Sequence, residues 1–276
     1  MTPTRSILIT GCSSGIGHHA AGALKKRGWR VFAAVRKDAD VARLAAEGFD
    51  ALRLDYTDAA SIAAALDAVL AKTGGTVDAL FNNGGSAQPG ALEDLSTDLL
   101  RAQFEVNFFG WHELTRRVIP VMRRQGAGRI VFCSSVLGYI SVKYRGAYAA
   151  SKYAVEAMAD TLRLELFGSG IRVVLIEPGP IETSFVDNAL AGIDRLIDIP
   201  GSVHHAAYQD QLARHVAAEA ISFRRGPEAV FLQLVQALES PNPRPRYRVT
   251  LPAALAWHLK RILPVRVADW FLRRVD

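Results

Sequence analysis

Short apolar runs alternate with helix-length stretches along most of this chain. That order predicts an α/β fold, a doubly wound parallel sheet in a single domain. Two further observations predict the same. A glycine-rich turn joins the first apolar run to the first helical stretch, where a parallel sheet lets backbone approach a pyrophosphate. Polar residues and glycines then gather where successive runs end, the edge at which open α/β sheets hold ligands. They stand at Asp55, at Asn82-Asn83-Gly84-Gly85, at Ser134-Ser135 and at Pro178-Gly179.

Ser6–Thr10 reads as a buried strand, followed by Gly11-Cys12-Ser13-Ser14-Gly15-Ile16-Gly17 and a helix to about Arg27. The spacing G-x-x-x-G-x-G departs from the G-x-G-x-x-G dinucleotide fingerprint. Gly11, Ser13, Ser14, Gly15, Ile16 and Gly17 are nonetheless candidate contacts to a dinucleotide. Arg30–Val35 is the second strand and ends in Arg36-Lys37. A carboxylate there would accept hydrogen bonds from the ribose hydroxyls of NAD; Arg36 would instead meet the 2′-phosphate of NADP(H). Ala51–Leu54 is a third strand, and Asp55 at its end can reach an adenine amino group. Ala59–Lys72 is an alanine-rich helix with Asp58 or Ser61 near its start.

Asp78–Phe81 is the fourth strand and runs into Asn83 and Gly84, further candidate cofactor contacts. Leu99–Arg124 reads as one long helix, with Phe104, Phe108, Trp111, Leu114 and Val118 near helical spacing as core or subunit interface. Asn107 lies among them, and an amide in that setting needs a partner or a task. Ile130–Cys133 is a fifth strand, bounded by Gly128 and Ser134. A helix follows from near Ala147, on which Tyr148 and Lys152, four apart, share a face. An ammonium beside a phenol stabilises the phenolate and makes proton exchange with an alcohol or carbonyl oxygen feasible. A serine at the strand end can hold the same oxygen, and Ser135 is better placed than Ser134. Taken alone, such a Tyr/Lys pair is usually a solvated contact. Ile171–Ile176 is the sixth strand; Pro178 and Gly179 turn the chain, and Ile181 and Thr183 in that turn are free to meet a cofactor.

Half of the residues are hydrophobic, enough for a sizeable core. No apolar run is long enough to span a membrane and no signal-peptide pattern opens the chain, so a cytoplasmic protein is expected. Cys12 and Cys133 form no disulfide framework, and His204, His205 and His215 lack metal-site spacing, so no metal is expected. Ten Lys and Arg against four Asp and Glu fall between 223 and 276, the whole of the formal excess of +6. No recognition motif accompanies that charge, which argues against a nucleic-acid partner.

In order and spacing, Thr10-Gly11-x-x-x-Gly15-x-Gly17, Asp55, Asn82-Asn83, Asn107, Ser135, Tyr148-x-x-x-Lys152 and Pro178-Gly179 resemble the short-chain dehydrogenase/reductase family, over residues 6 to about 250. The resemblance implies a Rossmann-like sheet of about seven strands, with Arg246–Leu251 as the last. It implies a catalytic tetrad in which Tyr148 is the general acid in reduction and Ser135 orients the carbonyl. Lys152 would bind the nicotinamide ribose and lower the tyrosine pKa, and Asn107 would hold a relay water. It also implies a dimer or tetramer. Gly84-Gly85 departs from the alanine usual after the paired asparagines, an exchange expected to loosen the loop. Val35-Arg36 is similar to NADP-preferring members, and the whole is similar to the branch of 17β-hydroxysteroid and retinol dehydrogenases and bacterial NADP-dependent aldehyde reductases.

The expected function is NADP(H)-dependent interconversion of apolar aldehydes or ketones with their alcohols. The alternatives are a narrow steroid, retinoid or 3-oxoacyl dehydrogenase, or a non-catalytic NADPH-binding sensor, which would not need Ser135 and Tyr148 together. Residues 1–251 form the expected catalytic domain. Within it, 183–227 is a substrate lid made apolar by Phe185, Leu190, Ile193, Leu196, Ile197 and Ile199, either facing the substrate or anchoring the lid. Val136, Leu137, Tyr139 and Ile140 add to the apolar wall. Residues 252–276 form two amphipathic segments, Leu255 to Leu263 and Val267 to Val275, separated by Pro264. Such segments dock on the body or on a partner subunit, the favoured reading, or lie on an anionic membrane surface.

Overall fold

The computed structural model describes residues 4–191, 193–216 and 224–274. Seven strands form one parallel sheet in the order β3-β2-β1-β4-β5-β6-β7. They are β1 (Ser6–Thr10), β2 (Arg30–Val35), β3 (Asp50–Arg53), β4 (Ala79–Asn82), β5 (Gly128–Cys133), β6 (Ile171–Glu177) and β7 (Arg246–Arg248). The central strand β1 is buried along its whole length, as a strand covered on both faces must be. It pairs in parallel with β2 from Ser6↔Arg30 and with β4 from Ile7↔Ala79. The strand order reverses between β1 and β4, and the carboxyl ends of these strands open the crevice where the candidate site lies.

Helices cover both faces: α1 (Gly15–Lys26), α2 (Asp38–Ala46), α3 (Ala59–Thr73), α4 (Thr97–Phe104), α5 (Gly110–Gln125) and α6 (Gly146–Glu165). After β6 come α7 (Phe185–Leu190), α8 (His205–Val216), α9 (Pro227–Glu239), α10 (Leu251–Ile262) and α11 (Val265–Leu272). Asp58 is the N-cap of α3 and accepts from the backbone of Ala60 and Ser61; the Ser61 hydroxyl instead accepts from the Asp55 amide at 3.0 Å.

Several strand ends shift by one or two residues from the sequence reading, and two elements differ more. The stretch expected as one helix from Leu99 is divided by a π turn, Glu105–Phe109, with Asn107 at its centre. The last strand stops at Arg248 because Thr250 accepts from the Ala253 amide and caps α10, with proline in the first turn. The helices α2 and α9 carried no expectation.

Leu190, Ile193, Ile197 and Ile199 are buried with Ala91 and Tyr208 in a small core of their own, so they anchor the lid. Leu196 is exposed. Residues 217–223 of the expected lid, Val275 and the side chain of His215 lie outside the described residues. In the tail, α10 docks on the body, where the Tyr139 hydroxyl donates to the Ala253 carbonyl at 2.7 Å. Tyr139 thus faces the tail, away from the expected substrate wall. No residue of α11 is buried.

Candidate active site

Beyond the ends of β4 and β5, the structure brings Ser135, Tyr148 and Lys152 together and sets Asn107 one step behind them. Ser135 ends β5 in an extended conformation, and its hydroxyl accepts from the Leu137 amide at 3.1 Å. It is also within hydrogen-bonding reach of the Tyr148 phenol. Ser134 is turned the other way and faces Glu156 across Gly138, whose missing side chain leaves room for both. The preference for Ser135 over Ser134 follows from this opposition.

Tyr148 and Lys152 project from one face of α6. The Lys152 ammonium donates to the Cys133 carbonyl at 2.8 Å, lies 4.2 Å from the centre of the Trp111 ring and 5.6 Å from that of Tyr148. Burial pulls the Lys152 pKa down to about 8. Burial likewise raises the Tyr148 phenol above its ordinary value, against the opposing hydrogen bond from Ser135. In this arrangement desolvation outweighs the depression expected from the lysine, and the phenol is held in its protonated form. The lid residue Phe185 packs on the same ring, centroids 5.6 Å apart.

Asn107 is fully buried. Its Oδ1 accepts from the Ser86 amide at 3.0 Å; Nδ2 donates to the Ser86 carbonyl at 2.9 Å and to Ser151 Oγ at 3.2 Å. Ser151 in turn donates to the Tyr148 carbonyl at 2.7 Å. The asparagine therefore ties the π turn, the loop after β4 and the first turn of α6 to one another. π turns of this kind recur at functional sites because the extra residue re-aims a side chain.

The glycine turn fits a pyrophosphate. Gly11 and Gly15 have φ of +69° and +55°, values that side chains rarely adopt. A Cβ on Gly17 would strike the Gly11 carbonyl, so the turn closes only without one. Ser14 occupies the N-cap of α1 without a side-chain cap, which leaves the first amides of Gly15, Ile16 and Gly17 to face an anion. Ser13 accepts at its carbonyl from Arg43 at 2.8 Å. Arg36 is exposed at the end of β2 with no ion pair among the described residues. Arg43 brings a second guanidinium to this edge, though it is neutralised by Asp40 and Glu47. The sequence reading missed it; its four-residue spacing to Glu47 signals only a surface pair.

The loop after β4 is pinned rather than loosened. Thr10 Oγ1 accepts from the amides of Asn83 and Gly84, Asn83 Nδ2 donates to the Thr10 carbonyl at 3.0 Å, and Trp111 Nε1 donates to the Gly84 carbonyl at 2.8 Å. Gly84 lies directly against Gly11, where a Cβ would stand 3.0 Å from the Gly11 nitrogen. Asp55 accepts from the Thr57 amide and hydroxyl through Oδ1. On the far side, the Pro178 carbonyl accepts from the Val136 amide at 2.8 Å, and Gly179 lies against Thr250. Ile181 packs on the main core, and the Thr183 methyl lies against Gly15. Ser14 and Ser184 are hydrogen-bonded at 3.2 Å, so the start of the lid touches the glycine turn.

Behind Lys152 lies a buried ionic cluster that sequence reasoning missed. Arg246 on β7 donates to Glu156, to Glu177 at 2.7 Å and to Asp160 at 2.6 Å, and Arg248 pairs with Glu177 at 3.1 Å. Arg163 also pairs with Asp160, at 2.6 Å, so three guanidinium groups face three carboxylates. Burial, together with the charge of Glu177, pushes Glu156 up to about 7. The one available signal was that Glu156 follows Lys152 by a helical turn. A separate cavity of about 710 Å³, lined by Leu92, Tyr144, Tyr153 and His204 among others, contains none of the candidate catalytic side chains.

Residues 5–193 match the short chain dehydrogenase family. The chain is 45% identical over 270 residues to the uncharacterized oxidoreductase YbbO of Escherichia coli, covering 98% of this chain and 94% of that protein. It is 34% identical to human 17-beta-hydroxysteroid dehydrogenase type 1, covering 88% of this chain and 77% of that one. Among solved structures, a short chain dehydrogenase/reductase from Burkholderia phymatum in complex with NAD aligns with a TM-score of 0.76 at 28% identity, covering 98% and 95% of the two chains. An actinorhodin polyketide ketoreductase variant with NADPH aligns with a TM-score of 0.72 at 28% identity, covering 89% and 95%.

Proposed function

The chain belongs to the short-chain dehydrogenase family, and on that premise we propose that it is an NADP(H)-dependent oxidoreductase interconverting apolar aldehydes or ketones with their alcohols. The convergence of Ser135, Tyr148 and Lys152 beneath Phe185 carries the reading. Held along Gly11–Gly17, Asn83, Gly84 and the Pro178–Thr183 turn, the nicotinamide cofactor would supply the hydride.

The chain's own groups handle the proton and the charge. In reduction, Tyr148, kept protonated by burial, gives its proton to the carbonyl oxygen as that oxygen becomes an alcohol. Ser135 donates a hydrogen bond to the same oxygen. The Lys152 ammonium supplies positive charge beside the phenol as it turns anionic. The side-chain bonds of Asn107 to Ser86 and Ser151 support a positioning role at the start of α6, beside the relay-water role that the family resemblance implies.

The preference for NADP(H) rests on Arg36, since solved relatives hold either NAD or NADPH. Apolar substrates are favoured because Phe185 covers the phenol. The test is loss of NADPH absorbance with medium-chain and aromatic aldehydes, retinal and ketosteroids, with NADH in parallel. Turnover of several aldehydes with NADPH is the expected result. Turnover confined to a steroid or retinoid would replace breadth with a narrow substrate, and no turnover beside tight NADPH binding would favour a sensor.

A further inference from the structure

The C-terminal helices present an apolar face that no described residue covers. On α10, Leu251, Leu255, Leu259 and Ile262 fall on one stripe and are 66, 52, 47 and 75% exposed. On α11, Val265, Val267, Trp270 and Phe271 are 74, 40, 53 and 52% exposed, and no residue is buried. Short helices are marginal in water unless an apolar face is packed, so this face calls for a cover.

Charge identifies the cover. Arg266, Arg273 and Arg274 lie on α11 and directly after it, whereas Lys260 donates to the Tyr153 hydroxyl of the body and Arg261 stacks on Trp257; Asp269 is the one acid among the described residues from 251 on. Arg274 stacks on Trp270 at 3.7 Å, which places a guanidinium at the rim of the aromatic surface. The basic excess of the chain lies beyond residue 222; Arg246 and Arg248 within it are paired with carboxylates of the body, and the rest includes the cations of these helices. An isologous contact with a second copy would set the same cations against one another. A bilayer of anionic lipid takes the apolar stripe into its headgroup–acyl boundary and meets Arg266, Arg273 and Arg274 with phosphate.

We propose that α10 and α11 form a peripheral docking surface for anionic lipid. The attachment is rigid at one end, because α10 is bonded to the body through Tyr139 and Ala253. Neither helix crosses the membrane: among the described residues no helix is long and apolar enough to do so. The proposal is independent of the reaction assigned above.

The test is flotation of the full chain with vesicles of phosphatidylcholine, with and without phosphatidylglycerol. The protein is expected to float with the anionic vesicles alone and to lose that binding in high salt. Replacing Trp270→Asp and Phe271→Asp together should abolish flotation while the melting temperature of the body is retained. Each of Arg273→Gln and Arg274→Gln should weaken binding by about fivefold. Absence of flotation at low salt, or equal flotation of the Trp270/Phe271 variant, overturns the proposal. A dimer seen by light scattering that this variant breaks, without vesicle binding, would assign the face to a second copy instead.

Discussion

The ammonium of Lys152 stands 4.2 Å from the centre of the Trp111 ring and donates to the Cys133 carbonyl, so the charge beside Tyr148 is held by a ring face and a strand end. Both contacts favour the charged amine, while burial opposes it and brings its pKa down to about 8. The site is thereby poised close to neutrality.

A pH limb follows from this arrangement. Reduction needs Lys152 charged, and a base of pKa about 8 loses its proton as pH rises, so kcat/KM for reduction should fall above about pH 8. Trp111→Leu removes the ring from beneath the ammonium and should move that limb to lower pH. Initial-rate pH profiles of the two proteins read the shift.

The ionic cluster behind the lysine predicts a stability effect. Arg246→Met would leave Glu156 and Glu177 buried without their shared partner, at a cost of about 3–5 kcal/mol in urea unfolding.

Glu156 adds a pH dependence of opposite appearance to that of a surface carboxylate. Its folded pKa, about 7, lies above the ordinary 4.5, so between these values the folded state holds a proton that the unfolded state releases. Stability from this group is full below about pH 4.5 and declines as pH rises towards 7. Glu156→Gln should flatten that decline, measured as unfolding free energy across the window.

The strands were legible because buried parallel strands carry short unbroken apolar runs, as at Ile7–Ile9 and Val173–Ile176. The helix α2 was not legible: Leu44 is its one buried residue, so no stripe repeats. The segment Phe231 to Leu238 of α9 is apolar on most sides, which hides helical contrast. The π turn left no trace, since the aromatics on either side of Asn107 keep near-helical spacing and the extra residue shows itself through bonds to Ser86. Around Tyr148 the motif spacing was sufficient because one helix carries both Tyr148 and Lys152. The pairing of Glu156 with Arg246, ninety residues apart, depends on β7 closing the sheet beside β6.

The lid offers a separate test. Leu190, Ile193, Ile197 and Ile199 hold it together, and Phe185 meets the phenol. Phe185→Ala should raise KM for apolar aldehydes about tenfold with little change for small ones. An equal effect on both would mean that the ring serves the lid alone.

The proposed preference for NADP(H) hangs on one exposed guanidinium, that of Arg36. Arg36→Ala should weaken NADPH binding by about 10- to 100-fold and leave NADH binding unchanged, read by fluorescence titration.

Tyr148→Phe tests the central claim most directly, because it removes one oxygen from a ring whose packing on Phe185 is retained. NADPH affinity should stay within about twofold while turnover falls by about 100- to 10,000-fold. Turnover equal to that of the unaltered protein would contradict the assignment of Tyr148 as the proton donor and, with it, the proposed chemistry of the site.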